Sequence, residues 1–328
     1  SYHSPVFTGI IRYMTLQPDG KLLVTPSTGS FTNNGGLSNL VRLNADGSRD
    51  FSFNIPNFNL TNPIFANIVV DAQGRILIGG TFGTVNGVAR PGVARLNPDG
   101  SLDAGFVPSG YTFGGQVRGL GVQTQGANAD KVLVAGGTLT VNGVSRPVIR
   151  LNTDGSLDSS FTLVGDDATG TNPANGTRLR LLNMLPGDQF TVVSTKLTRF
   201  NADGTVDSSF VAPVFNQEPF WIDTLADGRV YLPPEFGTTA NGTALSGPVR
   251  FTANGQLDPT FAPGRFSTLV YPANVHVQSD GRILAFGNFD AVGATATPRT
   301  GVARFTASGA LEGFSFAGIG NLYSVSSA

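Results

Sequence analysis

The chain has no cysteine, so disulfide frameworks, zinc–thiolate sites and thiol nucleophiles are all excluded. Only 13% of its residues are charged and the net charge is −1, so no basic stripe exists to hold a phosphate backbone and nucleic acid is not an expected partner. Lysine and glutamate, the usual formers of exposed helices, occur three times each: Lys21, Lys131, Lys196 and Glu218, Glu235, Glu312. No apolar run approaches the length of a membrane-spanning helix, so membrane insertion is not expected. Histidine occurs twice and tryptophan once, which leaves little material for a metal set or an acid–base centre.

What is abundant is glycine (43), proline (20) and phenylalanine (24), in a chain that is 40% hydrophobic. Many turns between short apolar runs point to an all-β chain. One phrase recurs six times, beginning at Arg42, Arg95, Arg150, Arg199, Arg250 and Arg304. RLNTDGSLDSSF, from Arg150 to Phe161, is a representative copy. The spacings are 53, 55, 49, 51 and 54 residues. Each copy is preceded by a second hairpin signal, such as QPDGKLLV from Gln17, DAQGRILIGG from Asp71 or QSDGRILAFG from Gln278. Two hairpin signals per repeat give four strands, here a to d. Six such repeats in tandem predict a six-bladed β-propeller of four-stranded antiparallel blades. The alternatives are seven blades or a fragment of a longer array. The predicted single domain covers 1–328, with repeats at 8–53, 64–106, 115–161, 178–210, 219–261 and 272–316.

The paired phrases, R-(L/F)-(N/T)-x-(D/N/S)-G with an upstream DG-(K/R), resemble the delta-60 repeat. That resemblance covers about residues 10 to 316. It implies a β-propeller in a bacterial secreted or surface protein, and hence an extracellular or cell-surface location. It implies no activity and no binding residues. The last copy, RFTASGALEGFSF, departs most, with Ser308 and Glu312 where the others carry a turn residue and an aspartate.

The phrase itself reads as framework. Each arginine on strand c faces a neighbouring blade, and a buried guanidinium requires a partner. The acid eight residues on supplies it, predicting the pairs Arg42–Asp50, Arg95–Asp103, Arg150–Asp158, Arg199–Asp207, Arg250–Asp258 and Arg304–Glu312. The phenylalanine that follows (Phe53, Phe106, Phe161, Phe210, Phe261, Phe316) plugs the gap between blades. A competing reading makes the same loop a calcium site, with oxygens from Asn152, Asp154 and Asp158, or places calcium at Asp166 and Asp167. An EF-hand loop needs more carboxylates than these, and turn chemistry explains each residue without an ion, so no cofactor is expected.

A ligand site is expected where the repeats differ. The a–b and c–d turns share one rim, which leaves the long b–c loops and d–a connections for the other. Tyr111, Phe113, Phe215, Trp221 and Tyr271 offer aromatic surface there for a sugar or a protein, with packing under their own loops as the alternative. His276 and Asp223 occupy equivalent positions on neighbouring inner strands, which makes them binding candidates and a sparse catalytic hint. The functional expectation is a non-catalytic extracellular module that binds a glycan or an extracellular protein, as a monomer or as part of a larger chain. A structural spacer in a larger adhesin and a polysaccharide-acting enzyme are the alternatives.

Overall fold

The computed structural model describes residues 7–313 apart from 34–35, 39, 59–64, 115–116, 137–138, 164–180, 212, 218, 220–221, 226, 233–237, 246–247, 262–273, 279, 287–288, 290, 293–296 and 300. It is all-β, with two short 3-10 turns, Gly126–Asn128 and Pro186–Asp188, as the helical content of the described residues. The chain divides into two compact units, Ser1–Leu182 and Asn183–Val325.

Every repeat builds an antiparallel sheet in the order a-b-c. In the second repeat these strands are Phe65–Val70, Ile76–Gly80 and Val93–Leu96. In the third they are Val117–Val122, Val132–Gly136 and Val148–Leu151. Strand b has a neighbour on each edge, and in the second repeat a sheet against each face. Ile76–Gly80 is therefore buried at every position, as is Val132–Gly136, and both read as continuous apolar runs rather than alternating ones.

Strand d is shorter than the repeat pattern predicts: a single bridge pair, such as Leu96 with Leu102 or Leu151 with Leu157. The acid that follows ends it. Asp103 donates its backbone N–H to Arg95 O at 3.0 Å, the last ladder bond. Its Oδ1 then accepts the Gly105 N–H at 2.8 Å and curls the chain into a turn that brings Phe106 back to the sheet.

The core lies between successive sheets. One cluster joins Leu23, Leu40 and Phe53 of the first repeat to Ile68, Ile76 and Leu96 of the second. Another packs Phe106 of the second repeat on Val117, Val132 and Leu151 of the third. In the other unit, Tyr231 and Phe261 of the fifth repeat meet Val275, Ile283 and Phe305 of the sixth. Each described phenylalanine at the end of the phrase, from Phe53 to Phe261, is buried; Phe316 lies outside the described residues.

The rim opposite the tight turns is more ordered than variable loops would be. The b–c segments of repeats 2, 3 and 5 fold into small hairpins: Thr84–Val85 with Val88–Ala89, Leu139–Val141 with Val144–Ser145, and Thr239–Ala240 with Thr243–Ala244. Their tips are Asn-Gly pairs with both residues at positive φ, 52° and 79° at Asn86–Gly87. This is the type I′ turn that suits strand twist. The preceding repeat's d–a connection adds an edge to each hairpin. Thr112–Phe113 pairs with Leu139–Thr140, Phe58 bridges Val85, and Phe215 bridges Ala240.

Candidate functional site

Six equivalent arginines, one per strand c, each send Nε to the acid eight residues on. The distances are 2.8 Å for Arg42–Asp50, 2.6 Å for Arg95–Asp103, and 2.8 Å for both Arg150–Asp158 and Arg199–Asp207. They are 2.7 Å for Arg250–Asp258 and 2.5 Å for Arg304–Glu312. The guanidinium also stacks on the phrase's own phenylalanine, from 4.5 Å over Phe53 to 5.0 Å over Phe261. A third contact crosses to the next repeat. The Nη1 groups of Arg42 and Arg95 donate to Pro98 O and Thr153 O, and those of Arg199 and Arg250 to Ala253 O and Ala307 O. One side chain thus pairs a charge, covers a ring and latches two sheets.

The carboxylates are held by several donors at once. Burial works against the charge on Asp158, yet the Lys131 ammonium, the Ser160 hydroxyl and N–H, and Arg150 keep the carboxyl well below the usual carboxylate range. Asp50 is held the same way by Ser52, Lys21 and Arg42. Two of the proposed calcium ligands, Asp154 and Asp158, already accept protein donors. Asp154 Oδ1 accepts the Ser156 N–H and hydroxyl at 2.9 and 2.7 Å, and the Asn152 amide donates to Ser156 Oγ. An ion would have to displace these donors. Among the described residues no group of three His, Cys, Asp or Glu converges; Asp166 and Asp167 lie outside them.

The aromatic candidates separate. Phe215 is 3% exposed and meets Phe251 edge-on at 6.0 Å, so it is a core residue rather than a ligand platform, drawn inward by its bridge to Ala240. Tyr111 is half-buried and donates its hydroxyl to Pro91 O at 3.1 Å; burial pushes that hydroxyl above its ordinary range. The half-buried Phe113 ring lies against Gly92, whose missing Cβ leaves the space it fills. Both rings pack against the Pro91–Gly92 segment of the second repeat. Trp221 and Tyr271 lie outside the described residues.

His276 and Asp223 do come together. Both lie two residues before the first residue of an a–b turn, Gln278 and Leu225. His276 Nδ1 is 3.9 Å from Asp223 Oδ2, with the side chains 42% and 20% exposed. That is too long for a hydrogen bond. His276 Nδ1 is buried and has no hydrogen-bond partner among the described residues. Asp223 Oδ2 accepts the Val277 N–H at 3.1 Å. Burial nevertheless dominates at Asp223 and pushes its carboxyl up. Asn183, at the equivalent position of the fourth repeat, extends the row. Its amide donates to Ile222 O and Thr224 Oγ1 at 3.4 and 3.2 Å. The corresponding residues of the first three repeats are Thr15, Val69 and Gly121. Thr15 also reaches the next repeat, its hydroxyl donating to Ile68 O at 3.4 Å, but it is buried, so what sets the second unit apart is that its three polar side chains are partly exposed.

A family model described as a domain of unknown function, the DUF5122 β-propeller, matches residues 17–53, 73–106, 129–161, 187–210 and 278–312. The chain belongs to this family. The DUF5122 model thus covers five of the six paired phrases that carry the resemblance to the delta-60 repeat; the fifth repeat, 219–261, lies outside the matched segments. No curated protein matches the chain. Among solved structures, a streptogramin B lyase superposes with a TM-score of 0.50 at 12% identity, covering 96% of this chain and 87% of that one. A gluconolactonase from Xanthomonas campestris gives 0.48 at 16%, covering 86% and 84%. A protein of unknown function from Bacteroides caccae gives 0.46 at 10%, covering 93% and 92%. At such identities what the lyase shares with this DUF5122 chain is the fold.

Three features of this DUF5122 chain escape a first reading of its sequence. Asn183 is signalled only by its alignment with Asp223 and His276. The Asn-Gly hairpins are signalled by T-V-N-G-V, which occurs at both Thr84–Val88 and Thr140–Val144. A second arginine, Arg90 or Arg299, donates to the backbone carbonyl of the phrase's acid, Asp103 or Glu312, and sits five residues before the first arginine in both repeats.

Proposed function

We propose that this chain is a non-catalytic recognition module of an extracellular or cell-surface protein. It binds a hydroxyl-rich ligand, a glycan or a glycan-like face of an extracellular protein, through the row Asn183, Asp223 and His276. The observation that carries this reading is the contrast between the repeats. The arginine–acid–phenylalanine phrase serves the framework in every copy, while the strand a position two residues before the turn changes from Thr15, Val69 and Gly121 to a partly exposed amide, acid and imidazole. Mixed donors and acceptors suit sugar hydroxyls. The test is a broad glycan array with the whole chain, then titration of any hit against Asp223→Ala and His276→Ala. Affinity should fall at least about tenfold in each, the loss of one or two hydrogen bonds, one of them to a charged group. An array without a hit, or variants that bind as well as the parent, would remove this reading in favour of a spacer.

A second reading, an acid–base enzyme, is favoured by one specific observation. A carboxyl pushed up by burial faces a buried imidazole nitrogen that has no hydrogen-bond partner among the described residues. Turnover of a polysaccharide that disappears in both variants, while binding persists, would select it.

A further inference from the structure

We propose that Asn142–Gly143 is a site of spontaneous deamidation, selected over Asn86–Gly87 and Asn241–Gly242 by how the neighbouring chain holds each hairpin. The three tips share one backbone geometry. Their asparagines have φ of 52°, 51° and 49° and their glycines 79°, 77° and 78°. All six residues are exposed. The tips of the second and third repeats need no correction for sequence, because Thr84–Val88 and Thr140–Val144 are the same five residues, T-V-N-G-V. What differs is anchoring. Asn86 donates its N–H to Asn57 O at 2.7 Å, and its side-chain Oδ1 accepts the Asn57 N–H at 2.8 Å. Asn241 repeats the arrangement with Val214, at 2.7 and 2.9 Å. Asn142 makes neither bond. The connection beside it pairs only as far as Thr112 with Thr140. Gly110, at φ 85°, then turns the chain away, and Ser109 bonds instead with Gly155 O and Leu157 N–H on the c–d side.

The chemistry needs no partner but water. The Gly143 backbone nitrogen attacks Cγ of Asn142 and forms a five-membered imide. The bond from Cγ to the amide nitrogen breaks, and ammonia leaves with the proton from the Gly143 N–H. Water then opens the imide at either carbonyl, giving aspartate or isoaspartate. The attack requires Asn142 to leave its left-handed turn conformation, so its rate follows local opening of the hairpin. Two extra hydrogen bonds hold Asn86 and Asn241 against that opening. The product places a new negative charge at the tip, and isoaspartate lengthens a turn whose two-residue span sets the hairpin register.

The whole chain is incubated at mildly alkaline pH, and conversion at each Asn-Gly is followed by peptide mapping that separates aspartate from isoaspartate. Asn142 should convert roughly tenfold faster than Asn86 and Asn241, or more. In urea, with the hairpins gone, Asn86 and Asn142 should convert at equal rates because their flanking residues are the same. Equal native rates, or a ratio that persists in urea, would overturn the proposal.

Discussion

At the scale of single residues, the acid of the repeated phrase is the strongest determinant. Asp158 is 7% exposed and receives Arg150 and Lys131 on one oxygen, at 2.8 Å each, and the Ser160 N–H and hydroxyl on the other. Asp158→Asn keeps the acceptor for Ser160 and removes the charge that two cations share. The expected cost is about 3 kcal/mol, the lower end for a broken buried pair because Lys131 keeps contact with water. The contrast is Asp227→Asn. Its pair with Arg229 is open to solvent on both sides, and the expected change is about 0–1 kcal/mol. Urea unfolding of the two variants tests the difference; equal losses would mean that burial does not set the worth of the pair. This residue-level logic was legible in advance because every repeat remakes the same contact, so arginine, acid and phenylalanine recur at fixed offsets. The latch was not. Its acceptors are backbone carbonyls of Pro98, Thr153, Ala253 and Ala307, and a carbonyl leaves no residue type to recognise.

At the scale of elements, the c–d turn does two jobs where the sequence suggests one. Gly100 adopts φ 87°, which a tight Asp-Gly turn requires. It also lies under the tail of the preceding repeat. A Cβ there would stand 2.3 Å from Asn54 O and 2.7 Å from the Phe53 ring. Gly255 is placed alike, 2.2 Å from Val211 O. Gly87, with φ 79° at a hairpin tip, would meet nothing within 4 Å. Gly87→Ala should therefore cost about 1 kcal/mol, the left-handed penalty alone. Gly100→Ala should lose about 2 kcal/mol more as the seam between repeats is forced apart. Thermal unfolding of both checks this, and equal losses would show that the close approach costs nothing. The same turn offers Asn152 and Asp154 as calcium ligands on paper, but Asp154 Oδ1 accepts the Ser156 N–H and hydroxyl and the Asn152 amide nitrogen donates to Ser156 and Leu157. Chelation with EDTA should accordingly shift Tm by less than about 1 °C; a larger fall would place an ion in the turns.

At the scale of the whole molecule, the sign of the carboxyl's shift separates the acids of the repeated phrase from Asp223. Asp50, Asp103, Asp158, Asp207 and Asp258 are all held below the usual carboxylate range. Groups of this kind bind protons more weakly folded than unfolded. Their stabilisation is complete above the unfolded value near ~4 and drains away as pH falls through the folded values. The contribution of these five acids should be flat from about pH 5 to 8 and decline below about pH 4. Asp223 has the opposite sign, because burial pushes its carboxyl up. The fold binds that proton more tightly than the unfolded chain does. Asp223 therefore weakens the fold above its folded pKa and ceases to do so as pH falls through it. Asp223→Asn leaves an acceptor for the Val277 N–H and removes the ill-solvated charge. The variant should melt higher than the parent at neutral pH, and the gap should close in acid as the parent's Asp223 takes up its proton. Calorimetry across that range decides it, and a variant less stable at neutral pH would make Asp223 one more framework acid. A higher melting point in Asp223→Asn would show that the fold holds this carboxylate at its own expense, and would support its proposed place in the binding row beside His276.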